Sequence, residues 1–250
     1  MSISIGQRLR TGACDPAFVL IEGFHALKHA HRFGAELELV ATADREGALE
    51  LCTRLAPDLT PVLQAAELAA DRSELEIAGR DIPTGVIALA RRPAEVDTAR
   101  AAGMIVLLEA PRNPANVGAA IRAAAAARVA AVAVSGDQDP WHPAAVRGSA
   151  GLHFAQPVLR GTITELTGER PVLGLDPDGE LLRPRDVADN AVLVFGSERD
   201  GLSAEARERC SQLVRLPMRA GVSSLNLATS VSATLMAVRI ANGWQGGEQQ

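Results

Sequence analysis

"MIVLLEAPRNPANVGAAIRAAAAARVAAVAVSG", residues 104–136, carries the change of pattern that decides the fold. Residues 104–108 form an uninterrupted apolar run, the mark of a strand covered on both faces. A Pro- and Asn-containing loop follows, then an alanine-rich stretch of high helix propensity, then a second apolar run ending at Val134. Strand, helix and strand at this spacing make a parallel crossover. Further along, "RPVLGLDPDG" (170–179) and "NAVLVFGSERDGLS" (190–203) each run from an apolar strand into a polar loop containing glycine. Val214 and Leu216 continue one more strand, which Pro217 ends. The fold class is therefore α/β with a parallel sheet, and ligands of such sheets bind at loops leaving the carboxyl ends of the strands.

Toward the N-terminus the pattern is that of a smaller α/β unit. "FVLIEGFHALKHAHRFG" (18–34) reads as a strand entering a helix, "AELELVATA" (35–43) as a strand, "REGALELCTRLA" (45–56) as a helix and "TGVIALARR" (84–92) as a strand. Between the two parts, "RRPAEVDTARAAG" (91–103) has proline, charge and glycine without periodicity and reads as a linker. The expected domains are 1–97 and 98–250. There are no internal repeats, and the tail "GWQGGEQQ" (243–250) is polar and expected to fray.

Composition bounds the function. The chain has 250 residues, 47% of them hydrophobic and 22% charged, which suits a globular protein of one large or two modest domains. With no Tyr, five Phe and two Trp, its core must be aliphatic. The net charge of −5 counts mildly against a nucleic-acid binder, although a local patch can still be basic. Cys14, Cys52 and Cys210 lie far apart with no CxxC, which argues for a reducing compartment and against a disulfide framework or a zinc site. No signal pattern and no run near the ~18 apolar residues of a membrane span occur, so a cytoplasmic protein is expected.

Four stretches could carry chemistry. In 109–126, Pro111, Pro114 and Gly118 are expected to shape a turn, Asn116 to cap the following helix, and Arg122 to stand about one turn into it. On these residues alone Arg122 reads either as a solvated charge on a capped helix or as a rigidly held Arg suited to a phosphate or carboxylate. In 194–203, Gly196 and Gly201 permit close backbone approach, and Glu198 reads either as a solvated loop charge or as a carboxylate that organises neighbouring loops. That loop lacks the GK[ST] of a Walker loop, and no GxGxxG occurs. In 214–230, Ser223 or Ser224 is a good helix cap, while Asn226 is harder to explain as one more polar residue at a helix start. Behind it, Leu227, Val231, Leu235 and Val238 recur at the spacing of one buried helical face. Finally, His25, Lys28, His29 and Arg32 fall at i, i+3, i+4 and i+7 of one helix, which reads either as a solvated face or as a basic stripe suited to phosphate. No carboxylate or Cys completes a metal set with these histidines.

Taken together, three of these loops resemble the SpoU (TrmH-like) branch of the SPOUT RNA methyltransferases. Asn116-x-Gly118 with Arg122 looks like its first motif, Gly196-x-Glu198-x-x-Gly201-Leu202 its second, and Leu216-Pro217-Met218 leading to Ser224-Leu225-Asn226 its third. The resemblance covers about residues 104–242, and residues 14–90 look like the small substrate-binding domain, similar to a ribosomal-protein fold, that often precedes the catalytic one. It implies a trefoil knot, an obligate homodimer with sites completed across the interface, and S-adenosylmethionine held at Leu175, Gly196, Leu216, Met218 and Leu225. The implied reaction is methyl transfer to a ribose 2′-hydroxyl, in ribosomal RNA of the 23S type, or alternatively in transfer RNA; a catalytically silent RNA-binding dimer is the rival of another class. Arg122 would orient phosphate and hydroxyl, with Asn116, Ser224 and Asn226 fixing Arg122 and the ribose, and Glu198 tethering loops. No metal or membrane partner is implied. "VRGSAG", with Arg147 to Gly151, resembles a family loop after the second strand, where Arg147 would meet RNA. Asn113 and Leu227-Ala228 depart from the commoner residues at their positions, without touching the groups named for the chemistry.

Overall fold

Helices and strands of the N-terminal part follow the periodicities of the sequence. The computed structural model describes residues 3–77, 80–94, 98 and 102–243. The core of the expected linker, including residue 97 at the expected domain boundary, and the tail beyond residue 243 lie outside the described residues. Two compact units are present: Met1–Ala94 with Ala150–Ala155, and Glu95–Ser149 with Gln156–Gln250.

In the first unit, α1 (Ile5–Cys14) precedes β1 (Phe18–Glu22), α2 (Phe24–Arg32), β2 (Leu37–Thr42), α3 (Arg45–Leu55), α4 (Thr60–Gln64), β3 (Glu67–Leu68) and β4 (Val86–Arg91). The sheet order is β1-β4-β2-β3, with β4 antiparallel to both β1 and β2. Leu9, Leu20, Leu39, Ile87 and Leu89 pack on one another, and each large aliphatic side chain so buried contributes about 1.5–3 kcal/mol. Gly23, at φ 93°, makes the sharp turn from β1 into α2, whose first N–H, that of Phe24, donates to Thr84 Oγ1. The short segment Ala150–Ala155 packs against α2: a Cβ on Gly151 would stand 2.2 Å from the Ala26 carbonyl oxygen, so only glycine fits. Nothing local in 150–155 announces this placement.

The second unit contains β5 (Ile105–Leu108), α5 (Pro114–Ala126), β6 (Ala131–Val134), α6 (Pro143–Gly148), β7 (Val158–Arg160), α7 (Ile163–Thr167), β8 (Val172–Leu181), β9 (Val192–Phe195), α8 (Ala204–Arg209), β10 (Gln212–Arg215) and α9 (Leu227–Ala241). Its six strands lie in the order β10-β8-β9-β5-β6-β7, all parallel. Every residue of β5, β6 and β9 is buried, as the continuous apolar runs require. On α9 the predicted face, Leu227, Val231, Leu235 and Val238, is buried.

Three local readings change. Gly118 does not shape the turn but sits inside α5, where a Cβ would stand 2.1 Å from the Ala145 carbonyl oxygen; it lets α5 and α6 approach backbone to backbone. The cap of α5 is Asn113, whose side chain accepts from the Ala115 N–H, with Pro114 at the first helical position; Asn116 lies inside the first turn. The cap of α9 is Asn226, not Ser223 or Ser224. In addition β8 does not simply end in its polar loop. Its pairing with β10 jumps from Gly174↔Leu213 to Glu180↔Val214, so that residues 175–179 leave the ladder and return to it.

Candidate active site

The parallel order puts the carboxyl ends of β5, β9, β8 and β10 side by side. Glu109, the residue after β5, accepts at its two carboxylate oxygens from Ser203 Oγ (2.6 Å) and the Ser203 N–H (2.9 Å), while Ser203 caps α8. The loop after β9 closes on itself: Ser197 and Gly201 exchange both backbone hydrogen bonds, and a Cβ on Gly196 would stand 2.1 Å from the Gly201 carbonyl carbon. The turn after β5 passes through Ala110 at φ 44°, a conformation L residues adopt at a cost of about 1–2 kcal/mol.

Glu198 joins these loops. Its Oε2 accepts from the Arg112 N–H and its Oε1 from Asn116 Nδ2, both at 2.8 Å. Asn116 Oδ1 accepts from Asn226 Nδ2 at 3.0 Å, and Asn226 Oδ1 accepts from the N–H groups of Ala228 and Thr229. The direction of this chain is dictated by chemistry. A carboxylate only accepts, so Asn116 must turn its amide nitrogen toward Glu198 and its oxygen toward Asn226. Asn226 in turn has only its oxygen left for the orphan N–H groups at the start of α9. Partial burial pushes the Glu198 carboxyl up, but the donors on Asn116 and Arg112 outweigh it and hold the group below the usual carboxylate range.

Two clefts open around this chain. The first, of about 400 Å³, is lined by Leu175, Asp176, Phe195, Gly196, Leu216, Met218 and Leu225 among others; the second, of about 480 Å³, by Arg112, Asn113, Asn116, Glu198, Ser224, Leu225 and Asn226. Glu198, Ser224 and Leu225 line both. The structure thus brings together all five residues expected at a cofactor and four of the five expected at the chemistry. Arg122 is the exception: it is exposed on α5, has no hydrogen-bond or ion-pair partner among the described residues, and lines neither cleft. Six residues beyond Asn116, it is about 9 Å further along the axis and on a different face of the helix. The expected link from Asn116, Ser224 and Asn226 to Arg122 is therefore not made within one chain. Arg147, exposed on α6, also lies outside both clefts.

On α2 in the first unit, His25 is exposed and Lys28 half-buried, but the rest of the basic stripe is engaged. Arg32 forms two 2.7 Å hydrogen bonds to the Asp58 carboxylate, and these hold Asp58 down at about 2. His29 Nδ1 is 2.8 Å from the Ala150 carbonyl oxygen. Asp58, 26 residues from Arg32, offered no local signal that the stripe would be partly neutralised.

Three features escaped sequence reasoning. Asp176, with 1% of its side chain exposed, pairs with Arg207 at the first cleft, and its Oδ1 accepts from the Asp178 N–H. Glu109 clamps Ser203, and Arg112 lines the second cleft. The acidic "LDPDG" was a visible signal for Asp176; the other two depend on partners distant in sequence.

Residues 103–236, more than half of the chain, match the SpoU rRNA Methylase family. The chain belongs to that family. Among its SpoU relatives, the 23S rRNA (guanosine-2'-O-)-methyltransferase RlmB of Xylella fastidiosa (strain 9a5c) is 36% identical over 148 residues, covering 56% of this chain and 59% of that protein. The chain thus spans about three fifths of the length of the curated relatives it matches at this identity. The 23S rRNA (guanosine(2553)-2'-O)-methyltransferase RlmP of Bacillus subtilis (strain 168) is 26% identical over 230 residues, covering 88% of each chain. The fold is similar to that of the SpoU methyltransferase AviRb from Streptomyces viridochromogenes, solved in complex with AdoMet, with a TM-score of 0.77 at 23% identity over 98% of this chain and 100% of that one. Among the described residues no helix is long and apolar enough to cross a membrane, and no group of three or more His, Cys, Asp or Glu could hold a metal ion.

Proposed function

We propose that this protein is a homodimeric, cytoplasmic RNA methyltransferase that uses S-adenosylmethionine to methylate a ribose 2′-hydroxyl in ribosomal RNA of the 23S type. The observation that carries this reading is the pair of clefts meeting at Glu198, Ser224 and Leu225. The first cleft fits the cofactor: Leu175, Phe195, Leu216, Met218 and Leu225 offer apolar surface to a purine, and its size falls in the ~300–1,000 Å³ range of small-ligand sites. The wall 216–225 closes only one backbone hydrogen bond among its described residues, from the Val222 N–H to the Arg219 carbonyl, which leaves its other polar backbone groups for a ligand. Bound there, S-adenosylmethionine supplies an electrophilic methyl group on a sulfonium.

The second cleft takes the target ribose. A 2′-hydroxyl is a weak nucleophile near neutral pH, so the protein must hold it in line with the methyl, ~3–3.5 Å away. Ser224, on the shared wall, is placed to hydrogen-bond it, while the Glu198–Asn116–Asn226 chain keeps the three loops in register. Arg122, with its planar fork of N–H donors, orients phosphate and hydroxyl. Because it lines neither cleft of its own chain, we assign it to the site of the second copy. Ile240, 73% exposed on α9, supports an apolar contact between copies, and α9 would be the segment passing through the knot. The expected N-terminal domain would hold RNA through His25 and Lys28, with Arg147 as a further contact; His29 and Arg32 keep internal partners and contribute less.

Mapping 2′-O-methyl groups in cellular RNA with and without the protein tests the reading. Loss of one site in large-subunit ribosomal RNA is expected. Loss in a transfer RNA would move the substrate; unchanged methylation, together with RNA binding but no cofactor heat in calorimetry, would leave a silent RNA-binding dimer. Removing the His25 and Lys28 side chains should flatten the salt dependence of RNA binding, and an unaltered slope would take α2 out of the interface.

A further inference from the structure

Arg112 is held by its backbone and free at its tip. Its N–H donates to Glu198 Oε2 at 2.8 Å, and its carbonyl accepts from Gln138 Nε2 at 3.4 Å. Its guanidinium is exposed and has no hydrogen-bond or ion-pair partner among the described residues. Among those residues it is also the one Arg or Lys that lines the second cleft, whereas Arg199, Arg207 and Arg215 line the first. The first turn of α5, which starts two residues later, holds no acidic side chain to compensate it.

An arginine with a pinned backbone loses only side-chain freedom on binding, and its planar fork matches the two free oxygens of a phosphodiester. The 2′-hydroxyl and the 3′-phosphate sit on adjacent ribose carbons. A clamp on that phosphate therefore also limits where the hydroxyl can point. The same Glu198 carboxylate that holds the Arg112 N–H holds Asn116 and lines the first cleft, so that the phosphate contact and the cofactor site share one rigid element.

We propose that Arg112 binds the phosphodiester next to the target ribose and so positions the 2′-hydroxyl, acting within its own chain. This rests on the methyltransferase reading for the occupant of the second cleft. It is a positioning residue, distinct from Arg122.

The test compares full-length wild-type dimer with Arg112→Ala and Arg112→Lys, using ribosomal RNA as substrate and ligand. Arg112→Ala is expected to lower kcat about tenfold as well as to raise KM for RNA, because the clamp both binds the phosphate and orients the hydroxyl, and to reduce the slope of log binding constant against log salt by about 1. Calorimetric affinity for S-adenosylmethionine should stay within about twofold. Arg112→Lys should restore the slope, because the charge is kept, but only part of the KM, because the fork is lost. An unchanged salt slope in Arg112→Ala overturns the assignment, as does an equal loss of cofactor affinity, which would make the side chain a support of the 110–116 turn. Failure of the wild-type dimer to methylate any RNA would instead overturn the methyltransferase reading, and the salt slope would still decide Arg112.

Discussion

Glu198 is an exposed carboxylate with its acceptor capacity directed inward, at the Arg112 N–H and Asn116 Nδ2. Its ionisation in the folded protein lies below the ordinary carboxylate range. For a group depressed in this way, the stabilisation is fully present above the unfolded value, near 4.3, and is lost as pH falls through the folded value. Cofactor affinity is therefore expected to be flat from pH 8 down to the ordinary carboxylate range and to fall only below that range. Glu198→Gln should bind the cofactor about tenfold more weakly at neutral pH, since an amide can accept at only one atom, and should lose the acid limb. Calorimetry across pH checks both; an acid limb retained in Glu198→Gln would place the titration elsewhere. At this scale the sequence named Glu198, Asn116 and Asn226 but misassigned the helix caps, expecting Asn116 at α5 and a serine at α9 where Asn113 and Asn226 stand. An Asn near a helix start looks alike as cap or as bridge, and only its distant partner decides between them. Glu109 went unread because Ser203 lies far along the chain, whereas Asp176 was visible in the acidic "LDPDG" and only its pairing with Arg207 was not.

Among the elements, α5 and α9 carry the site between them, and their packing explains why the loops hold still. Arg239 on α9 donates from Nε to the Ala127 carbonyl and from a terminal guanidinium nitrogen to that of Arg128, closing the orphan end of α5 with a cation. On the other side, Gly118 lets α6 touch α5. Gly118→Ala should help an isolated helix by about 1 kcal/mol, yet here the added methyl meets the Ala145 carbonyl. Net destabilisation of about 1–3 kcal/mol is expected, lowering Tm by several degrees in a thermal melt. A melt at or above the wild-type temperature would show that α6 shifts freely. The longer strands and the helices α2, α3, α5 and α9 were legible from periodicity, as was the buried face of α9, while α1 and the short α4, α6, α7 and α8 were not read. Which glycine turns the chain and which admits a neighbour was not, because both look the same without the neighbour.

For the whole molecule the decisive expectation concerns Arg122. If each site takes its loops from one copy and Arg122 from the other, Arg122→Ala and Asn226→Ala are each inactive alone. Co-expressed, they form mixed dimers with one intact and one doubly altered site, and roughly a quarter of wild-type methylation should return. Methyl-transfer assays on the co-expressed population read this directly, and mixed dimers purified from it should reach about half of wild type; no recovery would place Arg122 in its own chain's site. By itself the sequence determined the α/β class, the strand order along the chain, the family and the loops that gather, since hydrophobic period and loop chemistry are local properties. Only the tertiary structure decided that Arg32 is neutralised by Asp58, that residues 150–155 pack with the first unit, that Arg122 stands apart from the clefts, and that Arg112 lines one. Each of those depends on which residues far apart in the chain come within a few ångströms, and hydrogen bonds and ion pairs act only at that range.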